Sequence, residues 1–262
     1  MIGIISTILC TLTFGAIWHH MQARASGNES TRIKFIAPWT FAMIAMAIMA
    51  GSRLFDDSGL NFYFYNSLFI AAFTICSILY LVSLFRQVEH LGLIVLPVTV
   101  VCIVLNMLFL KEGVQVTLSF GIETHIVASI IAFSVLGLAA VQAILLFFQD
   151  RTLKSHTNTG LLRALPSLHE SETLLFQTIS LGVLILTVTL ASGFIYLEDI
   201  FAQHLVHKTL LSSLAWLVFV VLLWGRMQFG WRGTTAIRWS LSGFTFLILA
   251  YFGSKFVLEL VL

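Results

Sequence analysis

Eight stretches of this chain are each long and apolar enough to cross a bilayer: about 2–20, 35–53, 61–85, 91–110, 125–149, 173–197, 207–225 and 237–260. A membrane helix needs about 20 mostly apolar residues to traverse the hydrocarbon core. No water meets a backbone N–H or C=O there, so each span must satisfy its own hydrogen bonds as a helix. This feature decides the fold class. It predicts an all-α, polytopic membrane helical bundle of about eight transmembrane helices. The connectors are too short for a second, soluble domain, so residues 1–262 read as one integral membrane domain. Composition agrees: 59% of residues are hydrophobic and 10% charged, against about 45–50% and about 25% in soluble domains.

Eight spans put both termini on one side. With the N-terminus outside, the inner side holds Arg24, Arg32, Lys34, Arg86, Arg151, Lys154, Arg163, Arg226, Arg232 and Arg238. The outer side keeps Arg53, Lys111, Lys208 and Lys255. Basic residues gather on the cytoplasmic side, so ten against four predicts N-out/C-out. Most of the connector acids, Asp56, Asp57, Glu112, Glu123, Glu198 and Asp199, then lie outside. The run from Met1 to Trp18 lacks the basic start and cleavage site of a signal peptide, and it reads as a retained first span.

Several chemistries have no motif here. Cys10, Cys76 and Cys102 lie inside apolar runs, outside any CxxC or CxxCH pattern, and read as buried small side chains. There is no HExxH, no phosphate-binding glycine loop and no nucleophile–base–orienter set. The chain therefore does not read as an enzyme of hydrolysis or phosphoryl transfer. Its inner basic residues are spread over several connectors and suit anionic headgroups, not nucleic acid.

The longest inner connector, "DRTLKSHTNTGLLRALPSLHESE", begins as loop, and its end starts a helix. Ser167, with Glu170 three residues on, has the spacing of a capping box. Pro97 falls inside the fourth span and is expected to bend it. Trp39, Trp216, Trp224, Trp231 and Trp239 are expected to form an interfacial aromatic belt. Asp56 and Asp57 beside Arg53 read as a solvated outer turn, and His19 with His20 as snorkelling at the inner interface.

The remaining histidines carry more chemistry. His125, His204 and His207 fall on the outer side, at the mouths of the fifth and seventh spans. At about 100° per residue, His125 shares a face with Ala128, Ala132, Ala139 and Ala143. Small residues at that spacing mark close helix packing in membranes, so His125 is expected to point into the bundle. His204 and His207 stand one turn apart. They read either as an interfacial pair in contact with water or as ligands of iron, copper or zinc.

The last third narrows the choice. The segment "SLAWLVFVVLLWGRMQFGWRGTTAIRWSLSGFTFLILAYFGSKF" resembles the C-terminal region of the cytochrome c assembly protein family. "LPSLHESETLLFQTISLGVLILTVTLASG" is similar to that family's pre-helix and following span, and "HIVASIIAF" resembles its His-x-x-x-Ser-x-x-x-Tyr/Phe helix start at His125. The likeness covers about residues 60–262 and is greatest to the shorter, eight-span YpjD-type inner-membrane branch. Its most specific part is the turn Gly230-Trp231-Arg232-Gly233 with Gly243-Phe244. In this turn the glycines allow a tight reversal, and Arg232 is expected to bind headgroup phosphate or cap carbonyls.

The resemblance implies a multi-pass protein of the bacterial inner membrane that handles haem and assists cytochrome c assembly without catalysis. It implies a b-type, non-covalent haem with His125 as iron ligand and His207, or His204, as the second. The implied partners are membrane lipids and a membrane protein of cytochrome maturation or ion homeostasis. The chain also departs from the family. "EDIFAQHLVHKT" stands where the larger branch has a tryptophan-rich outer loop, Gly225 and Met46 stand where histidines are expected, and the C-terminal outer histidine is missing. These departures motivate two other readings. One is a membrane transport or metal-homeostasis accessory that keeps the scaffold without haem; the other is a ligand-free scaffold for a second membrane protein.

Overall fold

The computed structural model describes residues 1–27, 31–56, 59–60, 63–109, 120–154, 164–196 and 203–253. Its helices are α1 (Ile2–Ala25), α2 (Ile33–Leu54), α3 (Phe64–Phe85), α4 (Gly92–Leu108), α5 (Phe120–Lys154), α6 (Leu168–Tyr196), α7 (Gln203–Phe229) and α8 (Gly233–Ile248). A 3-10 turn, Glu89–Leu91, leads into α4, and a π-helical turn, Leu249–Gly253, continues α8. Two two-residue strands, β1 (Phe55–Asp56) and β2 (Gly59–Leu60), pair antiparallel between α2 and α3. Among the described residues eight helical segments are long and apolar enough to cross a membrane, as expected. Asp57, Lys111, Glu112, His156, Arg163, Glu198, Asp199 and Lys255 lie outside the described residues.

Helix ends follow local chemistry more than the limits of the apolar runs. The 35 residues of α5 make it about 52 Å long, well beyond the hydrocarbon core. Its last turn is supported by Lys154 Nζ donating to Asp150 Oδ2 at 2.6 Å. The expected capping box opens α6. The Glu170 amide donates to Ser167 Oγ at 3.3 Å, and the Ser167 amide to Glu170 Oε2 at 3.1 Å. Two of the amides that a helix start leaves unpaired are thereby satisfied. Pro38 and Pro97 lie inside α2 and α4, which run through them.

The chain forms two compact units: Met1–Thr117 with Ser155–Pro166, and Leu118–Lys154 with Ser167–Leu262. In the first, α1 packs on α2, α2 on α3, α3 on α4, and α4 on α1. Ile17, Met21, Phe35, Met46, Phe69, Leu79 and Leu96 are fully enclosed. The Cys10 thiol lies 3.8 Å from Met46 Sδ, so this methionine packs against sulfur in the core. All three cysteines are free and buried, as their setting suggests. Trp39 is also fully buried, with its ring edge against Tyr80. It is therefore a core residue and not part of an interfacial belt, because α3 covers its face of α2.

A second correction concerns His20. It is 3% exposed and does not snorkel. Glu89, 1% exposed, draws it inward: His20 Nε2 lies 3.6 Å from Glu89 Oε1, and the imidazole packs on Phe35. Arg24 Nη1 donates to the same oxygen at 3.2 Å, and Arg32 Nη2 lies 3.8 Å from Oε2. Arg32 Nη2 also donates to the carbonyls of Ser83 and Arg86 at the end of α3, the second of which accepts the Val88 amide as well, at 3.0 Å. One carboxylate thus ties the end of α1, the start of α2, the end of α3 and the start of α4.

In the second unit α5 packs on α6 and α8, and α7 on α6 and α8. Ala132, Ala139 and Ala143 of the small-residue face of α5 are at most 1% exposed, and every residue from Ala132 to Ala140 is buried, so this stretch is packed on all sides. The turn between α7 and α8 has positive φ at Gly230 (65°) and Gly233 (51°), a backbone conformation that glycine adopts at little cost. Trp231 folds back over Gly225, where any side chain would collide with the indole ring. Glycine is therefore required at that position by packing. Arg232 Nε pairs with Glu172 Oε2 at 3.4 Å, and its Nη2 lies 3.3 Å from His169 Nδ1. Glu172 Oε1 accepts from the Gly233 amide at 2.7 Å, so α6 supplies the cap of α8. Arg226 is the residue that meets a carbonyl, that of Trp231, at 3.2 Å.

Candidate functional site

His125 lies one turn inside α5, where α6 runs alongside in the same unit. Its side chain is half-buried and turns to α6, as the alanine face predicts. Nδ1 is 2.9 Å from Ser192 Oγ. Ser192 Oγ is also 2.8 Å from the Thr189 carbonyl one turn back on α6. A carbonyl only accepts, and a hydroxyl that donates to one retains only acceptor capacity.

The other ring nitrogen has a different environment. Ser129 Oγ lies 3.5 Å from Nε2, beyond a good hydrogen bond, and 2.7 Å from the His125 carbonyl, to which it donates. A neutral imidazole held at one nitrogen keeps a lone pair on the other, and that lone pair is a metal ligand. Among the described residues no three His, Cys, Asp or Glu side chains gather as a metal cluster. A single imidazole suits a metal that carries its other ligands with it, as haem iron does.

Aromatic side chains line the same unit two turns along α5. Phe133 meets Phe244 of α8 at 5.2 Å between centroids, and Tyr251 and Phe252 of the π-helical turn at 5.2 and 5.5 Å. Such a turn adds a residue to the helix repeat and re-aims the side chains beyond it, and it is frequent at functional sites. Trp216 of α7 donates its indole N–H to Thr187 Oγ1 of α6 at 2.8 Å.

The other candidates belong to α7. His207 is exposed near the start of α7. The His204 side chain lies outside the described residues. Ser192 and Thr189 are the partners that reading the histidines alone overlooks. Ser192 is visible in "TVTLAS" as a polar residue in an apolar span, whereas Thr189 takes part through its backbone carbonyl, which any residue would supply, its own hydroxyl donating to the Ile185 carbonyl.

Comparison with known proteins places this geometry in a family. A model of the cytochrome c assembly protein family matches residues 33–262. Inner membrane protein YpjD of Escherichia coli (strain K12) is 30% identical over 241 residues, which is 89% of this chain and 90% of that protein. A 28.8 kDa protein of Azospirillum brasilense is 37% identical over 143 residues, 54% of this chain and 53% of its own length. Protein HemX of Brevibacillus brevis is 24% identical over 132 residues, 50% of this chain and 48% of that protein. No solved structure matches the chain significantly. The match takes in every helix from α2 onward, with His125, its two serines and the turn at Trp231, and the chain belongs to the cytochrome c assembly protein family.

Proposed function

We propose that the protein binds a b-type haem without a covalent bond and serves cytochrome c assembly as a haem-handling component of the inner membrane, with no catalytic turnover. Family membership supports the role in cytochrome maturation. The observation that carries the haem reading is the His125 Nε2 lone pair, left without a close donor while Nδ1 is anchored. His125 would be the axial ligand, and His207, exposed at the start of α7, would supply a second. His204 is the reserve candidate on the same turn. The bound haem would supply a reversible one-electron iron centre. The chain's own part is to orient the imidazole and, through the packed faces of α5 and α6, to keep water from it.

The test is an optical one. Protein purified in detergent from cells supplied with excess haem is expected to show a Soret band and a reduced α band. His125→Ala is expected to lose more of both than His207→Ala. Absence of the bands from the unaltered protein removes the haem reading, and equal retention in both variants removes these ligands. The transport alternative draws on buried charge inside a membrane protein. The buried charge of the first unit is engaged in tying helix ends, which favours the haem reading.

A further inference from the structure

We propose that Ser192 is the positioning residue that fixes which nitrogen of His125 is offered to a metal: it holds the ring as the Nδ1–H tautomer and leaves Nε2 as the ligating atom. The inference rests on reading His125 as the ligand, but it concerns the protein before anything binds.

The argument is one of hydrogen counting. A serine hydroxyl has a single hydrogen. At 2.8 Å from Ser192 Oγ the Thr189 carbonyl takes it, since a carbonyl has none to give. What remains on Ser192 Oγ is lone pairs, and the group 2.9 Å away must then be a donor. That group is Nδ1. A neutral imidazole carries one N–H, so Nε2 is bare. On the α5 side Ser129 likewise gives its hydrogen to the His125 carbonyl at 2.7 Å, and at 3.5 Å it is too far from Nε2 for a good hydrogen bond in either direction. The short contact to Ser192 therefore decides the tautomer, and nothing on α5 opposes it. The outer partner that orients a metal-binding histidine is ordinarily a carboxylate, a backbone carbonyl or water. Here it is a hydroxyl backed by a carbonyl, which suits an apolar span because it brings no charge into the membrane.

The experiment uses the full-length protein, free of haem, in lipid bilayers, with ring-15N-labelled histidine observed by solid-state NMR. His125 is assigned by its loss in His125→Asn. The expected spectrum has a protonated Nδ1 and a bare Nε2. Ser192→Ala is expected to change the tautomer ratio about fivefold, the factor carried by one ordinary hydrogen bond. Ser192→Thr, which keeps the hydroxyl, is expected to restore it. A protonated Nε2 in the unaltered protein overturns the proposal. So does a ratio unchanged in Ser192→Ala. Haem titration of the same samples is read separately. Failure to bind haem with the tautomer as stated ends the haem reading and leaves the positioning role intact.

Discussion

Glu89 is enclosed at 1% exposure, whereas the side chains of Arg24 and Arg32 that face it are about a third exposed. That asymmetry sets an order among variants. When the carboxylate is neutralised in Glu89→Gln, Arg32 keeps the Ser83 and Arg86 carbonyls and Arg24 keeps Gln87 Oε1, and the penalty is about 1 kcal/mol, since partly exposed ion pairs are screened. When both arginines become Gln, the carboxylate is left buried with only an imidazole beside it. The Ser83 carbonyl at the end of α3 loses the Arg32 donor as well. An uncompensated buried charge costs about 3–5 kcal/mol. Thermal unfolding in detergent should therefore rank the double arginine variant clearly below Glu89→Gln. The reverse ranking would show that Glu89 is not the buried anchor of this end of the first unit. His20 belongs to the same knot, and its depth follows from Glu89 and Phe35 and not from its place at a span end.

At the level of single helices, α6 offers the most local test. Its start depends on the reciprocal pair Ser167 and Glu170, and Ser167→Ala should weaken it by about 1 kcal/mol. Amide hydrogen exchange in the first turn of α6 is then expected to quicken about fivefold, with the middle of the helix unchanged. A uniform rise along α6 would mean that the cap holds the whole helix and not just its end. This cap could be read from the sequence because both partners lie within four residues of each other. The spans could be read for a related reason: lipid imposes helix on any long apolar run, whatever packs beside it. The burial of Trp39 could not be, since an indole near a span end looks the same whether lipid or α3 covers it. The same holds for Arg232, whose partner Glu172 is 60 positions away in the chain. His125 was half legible. The alanine spacing of α5 aimed it inward, but only the packing of α6 shows that Ser192 and Thr189 receive it.

In each four-helix unit most of the basic residues collect at one end, with Arg53 at the end of α2 and Lys208 near the start of α7 as exceptions. Arg24, Arg32, Lys34 and Arg86 lie where α1 and α3 finish and α2 begins, and Glu89 is held among them. Arg151, Lys154, Arg226, Arg232 and Arg238 lie where α5 and α7 finish and α8 begins, and Glu172 takes up Arg232. His125 and His207 lie at the opposite ends of their helices. Positive charge resists transfer across the membrane, so the charge rule predicts cytoplasmic basic ends and a His125 end at the outer leaflet. Reporter fusions test this for the whole molecule. Alkaline phosphatase fused after Leu262 should be active, and green fluorescent protein there should be dark. In the connector between α5 and α6 the two reporters should give the opposite result. A fluorescent C-terminal fusion would invert the topology and move His125 to the cytoplasmic face. Haem would then have to be taken up from that side, and the charge argument would have failed even though the imidazole, its serine and its carbonyl kept their geometry.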